Sequence, residues 1–245
     1  MKVIVTDSYA ASCQTVADIF VEQVRKKPNS KLGLATGGTA ENVYPLLVKA
    51  YKNGEVSFAD ASTVNLDEYI GIEPTHDQSY RNYMDKRFFD HIDIDKKNAY
   101  VASGINAIEE EIKLFNEKLD EGGKIDIQLL GIGVSGHIGF NEPREALTAG
   151  VHIEHLTEST IKANSRFFEN ESQVPREAIT MGIGDIMKAE KIVLIATGLQ
   201  KAPAIKALLM DDLIYTDVPA TVLKMHADTT IVIDRELADA VGYNK

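Results

Sequence analysis

Residues 125–143, IDIQLLGIGVSGHIGFNEP, decide how the rest of the chain is read. The apolar run at 125–130 has the length of a buried strand, and Gly131, Gly133, Gly136 and Gly139 follow it at once. Glycines in such number let a backbone turn tightly and come close to a ligand. An imidazole, His137, and a carboxylate, Glu142, are set among them. A strand that opens into a glycine-rich turn with an acid and a base is expected at the ligand-binding rim of an α/β sheet.

Outward from that segment, strand and helix signals alternate. The segments 2–5, 31–35, 62–66, 191–196 and 230–233 read as strands. Val16, Ile19, Phe20 and Val24 recur at helical spacing, as do Val43, Leu46 and Leu47, and again Ile108, Ile112, Phe115 and Leu119. Gly122 and Gly123 stop the last of these helices. The alternation predicts an α/β fold of three layers, Rossmann-like, with a mostly parallel central sheet and helices on both faces. With 245 residues and no linker or repeat, residues 1–245 are expected to form a single domain. The polar stretch 148–176 shows no strand signal and reads as a helical excursion or a mobile cover.

Composition narrows the partners. A formal net charge of −11 repels nucleic acid and anionic membrane surfaces. An anionic small molecule remains possible if backbone N–H groups and one or two cations receive it. Cys13 is the single cysteine, so no internal disulfide can form, and its place on an apolar helix face predicts a buried, inert thiol. The first apolar segment is too short for a signal peptide, and no run is long enough to cross a bilayer. A cytoplasmic, soluble protein is expected.

Each main polar motif falls just past the carboxyl end of a predicted strand. Thr36, Gly37, Gly38 and Thr39 form a strand-to-helix turn. Its N–H groups suit a phosphate, or it is a tight turn with a threonine N-cap. Lys201 falls in the first turn of the helix after Thr197 and Gly198. A cation there opposes the helix dipole, and a bound anion would account for it, as would simple solvation of the lysine. Arg166 offers a bidentate phosphate contact or is an ordinary surface arginine. Asp67 closes the strand at 62–66 and suits a base that removes a proton beside a carbonyl or imine, or a cap. Glu68 follows it on extended backbone and points the other way, which argues against a carboxylate dyad. Glu142 would fix the tautomer of His137 for proton transfer to a sugar ring oxygen. No HExxH or CxxC is present, and His76, His91, His152, His155 and His226 show no ligand spacing with His137, so no metal is expected. Gly133-Val134-Ser135-Gly136 lacks the spacing of a nucleophile elbow.

Five segments together resemble the glucosamine-6-phosphate deaminase (isomerase) family. They are Leu34-Ala35-Thr36-Gly37-Gly38-Thr39, Asn65-Leu66-Asp67-Glu68-Tyr69, Gly136-His137-Ile138-Gly139-Phe140-Asn141-Glu142-Pro143, Ala163-Asn164-Ser165-Arg166-Phe167-Phe168 and Gly198-Leu199-Gln200-Lys201-Ala202. The resemblance implies conversion of glucosamine 6-phosphate to fructose 6-phosphate and ammonia, without cofactor or metal, in a monomer or small homo-oligomer. It implies that His137, with Glu142, opens the pyranose ring and that Asp67 moves the proton between C2 and C1. It places the phosphate on Thr36, Gly37, Gly38, Thr39, Arg166 and Lys201. Ser135 is a departure, since many members carry Asp or Asn there. The stretch 144–154 has acidic and apolar residues where allosteric members bind an effector phosphate, so the chain looks like the short, non-allosteric form. The rival readings are a 6-phosphogluconolactonase-like hydrolase, whose Gly-His motif continues differently, and a sugar-phosphate sensor without turnover.

Overall fold

The computed structural model describes residues 1–165 and 168–243. The chain runs β1 (Lys2–Thr6), α1 (Tyr9–Lys26), β2 (Lys31–Leu34), α2 (Val43–Lys52), β3 (Ser62–Asn65), β4 (Asp67–Tyr69), α3 (Tyr80–Arg87), β5 (Ala99–Tyr100) and α4 (Ile108–Asp120). It continues through β6 (Ile127–Leu130), β7 (His152–His155), α5 (Glu158–Asn164), β8 (Glu177–Thr180), α6 (Ile183–Met187), β9 (Ile192–Ala196), α7 (Ala202–Leu209), β10 (Thr229–Asp234) and α8 (Arg235–Val241).

Seven strands form one parallel sheet in the order β1-β10-β9-β6-β2-β3-β5. Its central strands are buried throughout, as helices on both faces require: every residue of β9 and of β10 is buried. α1 illustrates how the layers close. Ser8 caps it by accepting from Ala11 N at 3.2 Å, and Cys13, Val16, Ala17, Phe20, Val21 and Val24 form its buried stripe. Cys13 is thus a core residue, as its position predicts.

The strand order places the crevice. β2 and β6 are neighbours, but the chain leaves β2 toward β3 and leaves β6 toward β9, in opposite directions across the sheet. The connections that follow these two strands therefore diverge and leave a cleft above their carboxyl ends.

The region 148–176 departs from its sequence pattern. It contributes a strand, β7, which pairs antiparallel with β8, and β8 pairs antiparallel with β4. The strand signal is absent because the residue that β7 buries is an acid. Glu154 is 1% exposed and is paired with Arg144, and His152 Nε2 lies 3.2 Å from its carboxylate. This small sheet has its own core of Tyr69, Ile72, Phe140, Leu156, Ile161, Val174 and Ala178. It holds α5 beside the cleft, in the stretch whose sequence reads as a helical excursion or a mobile cover.

Candidate active site

The cleft at the switch point has a volume of about 660 Å³. Thr36, Gly37, Gly38 and Thr39 enter it after β2, Asp67 after β3, Ser135 and His137 after β6, and Thr197, Gly198 and Lys201 after β9. Thr160 and Asn164 of α5 close one side. Four loops that are far apart in sequence thus converge on one rim.

The loop after β6 is built to present His137. Gly133 N donates to His137 O at 2.9 Å, and Gly136 N donates to Gly133 O at 3.1 Å, closing a tight turn. Gly136 takes a φ of 83°, in the left-handed region that favours glycine, and accepts from Ala220 N at 2.8 Å. Beyond it, Asn141 donates its amide to Ile138 O and Met181 O, and Phe140 N donates to the Thr180 hydroxyl, which pins the segment to the end of β8. His137 Nδ1 lies 3.2 Å from Glu142 Oε2 and 2.9 Å from Ser135 Oγ. Glu142 is 1% exposed and does not line the cleft; it stands behind the imidazole. Burial pushes its carboxyl up, but His137 and the hydroxyls of Thr160 and Thr157 outweigh burial and leave it below the usual range. An ionised Glu142 is a pure acceptor, so Nδ1 carries the proton and Nε2 is the nitrogen left to trade a proton with a ligand.

Asp67 is 7% exposed and faces the same cleft. A β-carbon at Gly139 would lie 3.6 Å from Asp67 Oδ2, so the loop that carries His137 also passes the Asp67 carboxylate. Burial, and secondarily the nearby Glu68, raise the Asp67 carboxyl to about 8, where a group exchanges protons readily near neutral pH. Glu68 points elsewhere, as extended backbone predicts. It accepts from Tyr69 N, Tyr80 N and Arg81 N at 2.9–3.0 Å and so caps the start of α3.

The turn after β2 differs in one respect from its sequence reading. The N-cap of α2 is Asn42, not Thr39, and the turn precedes the helix by several residues. Its backbone, rather than the helix dipole, is what it offers an anion. Tyr9 of α1 anchors it, donating its hydroxyl to Gly38 O at 2.9 Å and Thr39 O at 3.1 Å. Lys201 is half-buried at the N-cap of α7, across the cleft. Arg166, the remaining candidate, lies outside the described residues. Thr160 and Asn164 are site residues that their sequence positions did not single out for a role, and Ser135, the departure from the family pattern, lines the cleft with them. Among the described residues, no group of three or more His, Cys, Asp or Glu side chains is arranged to hold a metal ion.

Comparison with known proteins matches residues 6–232 to the model of the family glucosamine-6-phosphate isomerases/6-phosphogluconolactonase. A glucosamine-6-phosphate deaminase of Thermoanaerobacter pseudethanolicus is 50% identical over 242 residues, covering 98% of this chain and 95% of that protein. One from Clostridium perfringens is 47% identical over 239 residues, covering 97% and 98%. A solved structure of a monomeric glucosamine-6-phosphate deaminase superposes with a TM-score of 0.94 at 41% identity, covering 98% of this chain and 100% of that one. The 6-phosphogluconolactonase of Trypanosoma brucei superposes with a TM-score of 0.79 at 16% identity, covering 97% of each chain, a likeness of fold.

Proposed function

We propose that this chain, which belongs to the family of glucosamine-6-phosphate isomerases and 6-phosphogluconolactonases, carries out its chemistry in the cleft between β2 and β6. The reaction is the conversion of D-glucosamine 6-phosphate and water to D-fructose 6-phosphate and ammonia, an aldose–ketose isomerisation with deamination. The observation that carries the assignment of roles is the convergence of Asp67, the His137–Glu142 pair and a backbone anion turn on one rim.

Binding starts at the phosphate. The N–H groups of the turn at 36–39 and the ammonium of Lys201 receive it, and Arg166 adds its guanidinium. The pyranose ring then lies toward the loop after β6. His137 Nε2 takes the proton of the C1 hydroxyl and passes it to the ring oxygen as the bond from C1 to that oxygen breaks, so the ring opens to the aldehyde. Glu142 holds Nδ1–H and stabilises the charge while the imidazole is protonated. Asp67 then removes the proton from C2, forming an enolamine, and returns it at C1, leaving an imine at C2. Water adds to that imine and ammonia leaves. Because water is consumed and a carbon–nitrogen bond is broken, the net change is a hydrolysis coupled to an isomerisation. No step draws on a cofactor or metal.

The lactonase reading rests on shared fold, at identities of 13–19%. Against a silent sensor stand the Asp67 carboxylate and the oriented imidazole of His137 lining the same cleft. Among the described residues no helix is long and apolar enough to cross a membrane, and a cytoplasmic enzyme of amino-sugar breakdown is the setting that fits this substrate.

The test is release of ammonia and fructose 6-phosphate from glucosamine 6-phosphate by the purified protein, with EDTA present. Equal amounts of both are expected. Hydrolysis of 6-phosphogluconolactone instead would overturn the assignment, as would binding without turnover. Lys201→Ala is expected to raise KM about ten- to hundredfold, the worth of a charge-assisted contact, with kcat changed far less. An unaltered KM would place the phosphate elsewhere.

A further inference from the structure

The two oxygens of the Glu142 carboxylate have different neighbours. Oε2 faces the reacting side, 3.2 Å from His137 Nδ1 and 3.4 Å from Ser135 Oγ. Oε1 faces α5, where it accepts from Thr160 Oγ1 and, at 3.3 Å, from Thr157 Oγ1. His137 is the titratable side chain that faces this carboxylate, and Ser135, Thr157 and Thr160 supply the hydroxyls around it. The next charged residue along the chain, Arg144, is paired with Glu154 instead.

A hydroxyl has one proton to give, and that limits who can hold Oε1. Thr157 has several acceptors in reach: Glu142 at 3.3 Å, Ser159 Oγ at 2.9 Å and Thr160 Oγ1 at 3.2 Å. Its oxygen also accepts from Thr160 N at 3.3 Å as the N-cap of α5. Thr160 is 5% exposed, and its hydroxyl makes the close contact with Glu142, which is 1% exposed. Buried this deeply, a carboxylate stays ionised and in one rotamer only where both oxygens are satisfied.

We propose that Thr160 is a positioning residue for the acid–base pair, so that α5 is the support that keeps Glu142 ionised and aimed at His137 as well as a wall of the cleft. This rests on the assigned reaction and adds to it a link from the covering helix to the ring-opening imidazole. Without the Thr160 hydroxyl, Oε1 keeps only the longer, shared contact with Thr157. The neutral form of Glu142 then gains, its grip on Nδ1–H loosens at higher pH than before, and the imidazole is free to turn.

Thr160→Val removes the hydroxyl at nearly constant shape and Thr160→Ser keeps it. Valine is expected to lower kcat for glucosamine 6-phosphate about ten- to hundredfold, the range for losing a hydrogen bond to a charged group. KM should stay within about twofold, and the acid limb of kcat should move to higher pH. Serine should hold kcat within about threefold of wild type, with its acid limb in place. Thr160→Ala removes the same hydroxyl without branching and must reproduce the valine pattern, which keeps the test open if valine does not fold. Wild-type kcat and pH profile in either variant would overturn the inference. A raised KM with unchanged kcat would also overturn it, by making Thr160 a substrate contact. Wild-type protein is assayed alongside: if it fails to turn over glucosamine 6-phosphate, the assigned reaction falls, whereas an indifferent Thr160 variant of an active enzyme removes only this inference.

Discussion

Asp67→Asn is expected to lower kcat for glucosamine 6-phosphate by about two to four powers of ten, with KM changed only a few-fold. Asparagine keeps the shape of the side chain and cannot take a proton from C2. The group it replaces is tuned as a base, because burial, with Glu68 next to it, lifts the Asp67 carboxyl to about 8. The tuning has a consequence for stability. In the unfolded chain Asp67 gives up its proton near 3.8, whereas in the folded chain it keeps it to about 8, so folding takes up a proton between those values. Stability contributed by this group therefore falls as pH rises through that window and is level above it. Asparagine never ionises and escapes the loss. Asp67→Asn should melt several degrees above wild type at pH 9 and level with it near pH 4. The wild-type kcat/KM should fall below about pH 8 as Asp67 becomes protonated. Rates and thermal melts across pH check both arms. Undiminished turnover would remove Asp67 from the proton transfer, and a melting difference independent of pH would deny it a raised pKa.

The site was legible to the extent that its residues follow strands. β2, β6 and β9 announce themselves by mostly apolar segments and β3 by its place in the alternation, and the candidate residues sit just past their ends, so Asp67, His137, the turn at 36–39 and Lys201 could be placed on one rim from sequence. The small sheet could not be read. β7 has the sequence His-Ile-Glu-His, and the burial of Glu154 depends on Arg144 ten residues earlier, a pairing that has no periodic trace. Thr160 was invisible for a related reason. It contacts Glu142 only because α5 folds back across the cleft, and nothing local distinguishes it from any polar helix residue. Ser135 was visible but looked like a loss, since it carries no charge. Its hydroxyl in fact reaches both His137 and Glu142, so the pair keeps a third polar neighbour. The turn at 36–39 does follow β2 and line the cleft, but Asn42 rather than Thr39 caps the helix that follows.

Gly133→Ala is expected to lower kcat about a hundredfold or more without unfolding the protein. The reason lies in the ring of His137. A β-carbon at position 133 would fall 2.2 Å from Cε1 and Nε2 and 2.4 Å from Nδ1, within the space the imidazole fills. The backbone of Gly133 is not in the left-handed region, so alanine is tolerated there by the chain itself. The loop cannot easily yield, because Gly133 N is bonded to His137 O and Gly133 O accepts from Gly136 N. The group that gives way is the imidazole, which must rotate off Glu142 Oε2 and Ser135 Oγ, and a misplacement of about 1 Å is enough for a loss of this size. If that is how the variant fails, removing the ring first should erase the effect. Gly133→Ala in a His137→Ala background should leave kcat where His137→Ala alone puts it, a fully non-additive pair. Losses that multiply would mean that Gly133 acts on the cleft by some route other than His137, and a single variant within threefold of wild type would mean that the ring has room the geometry denies it.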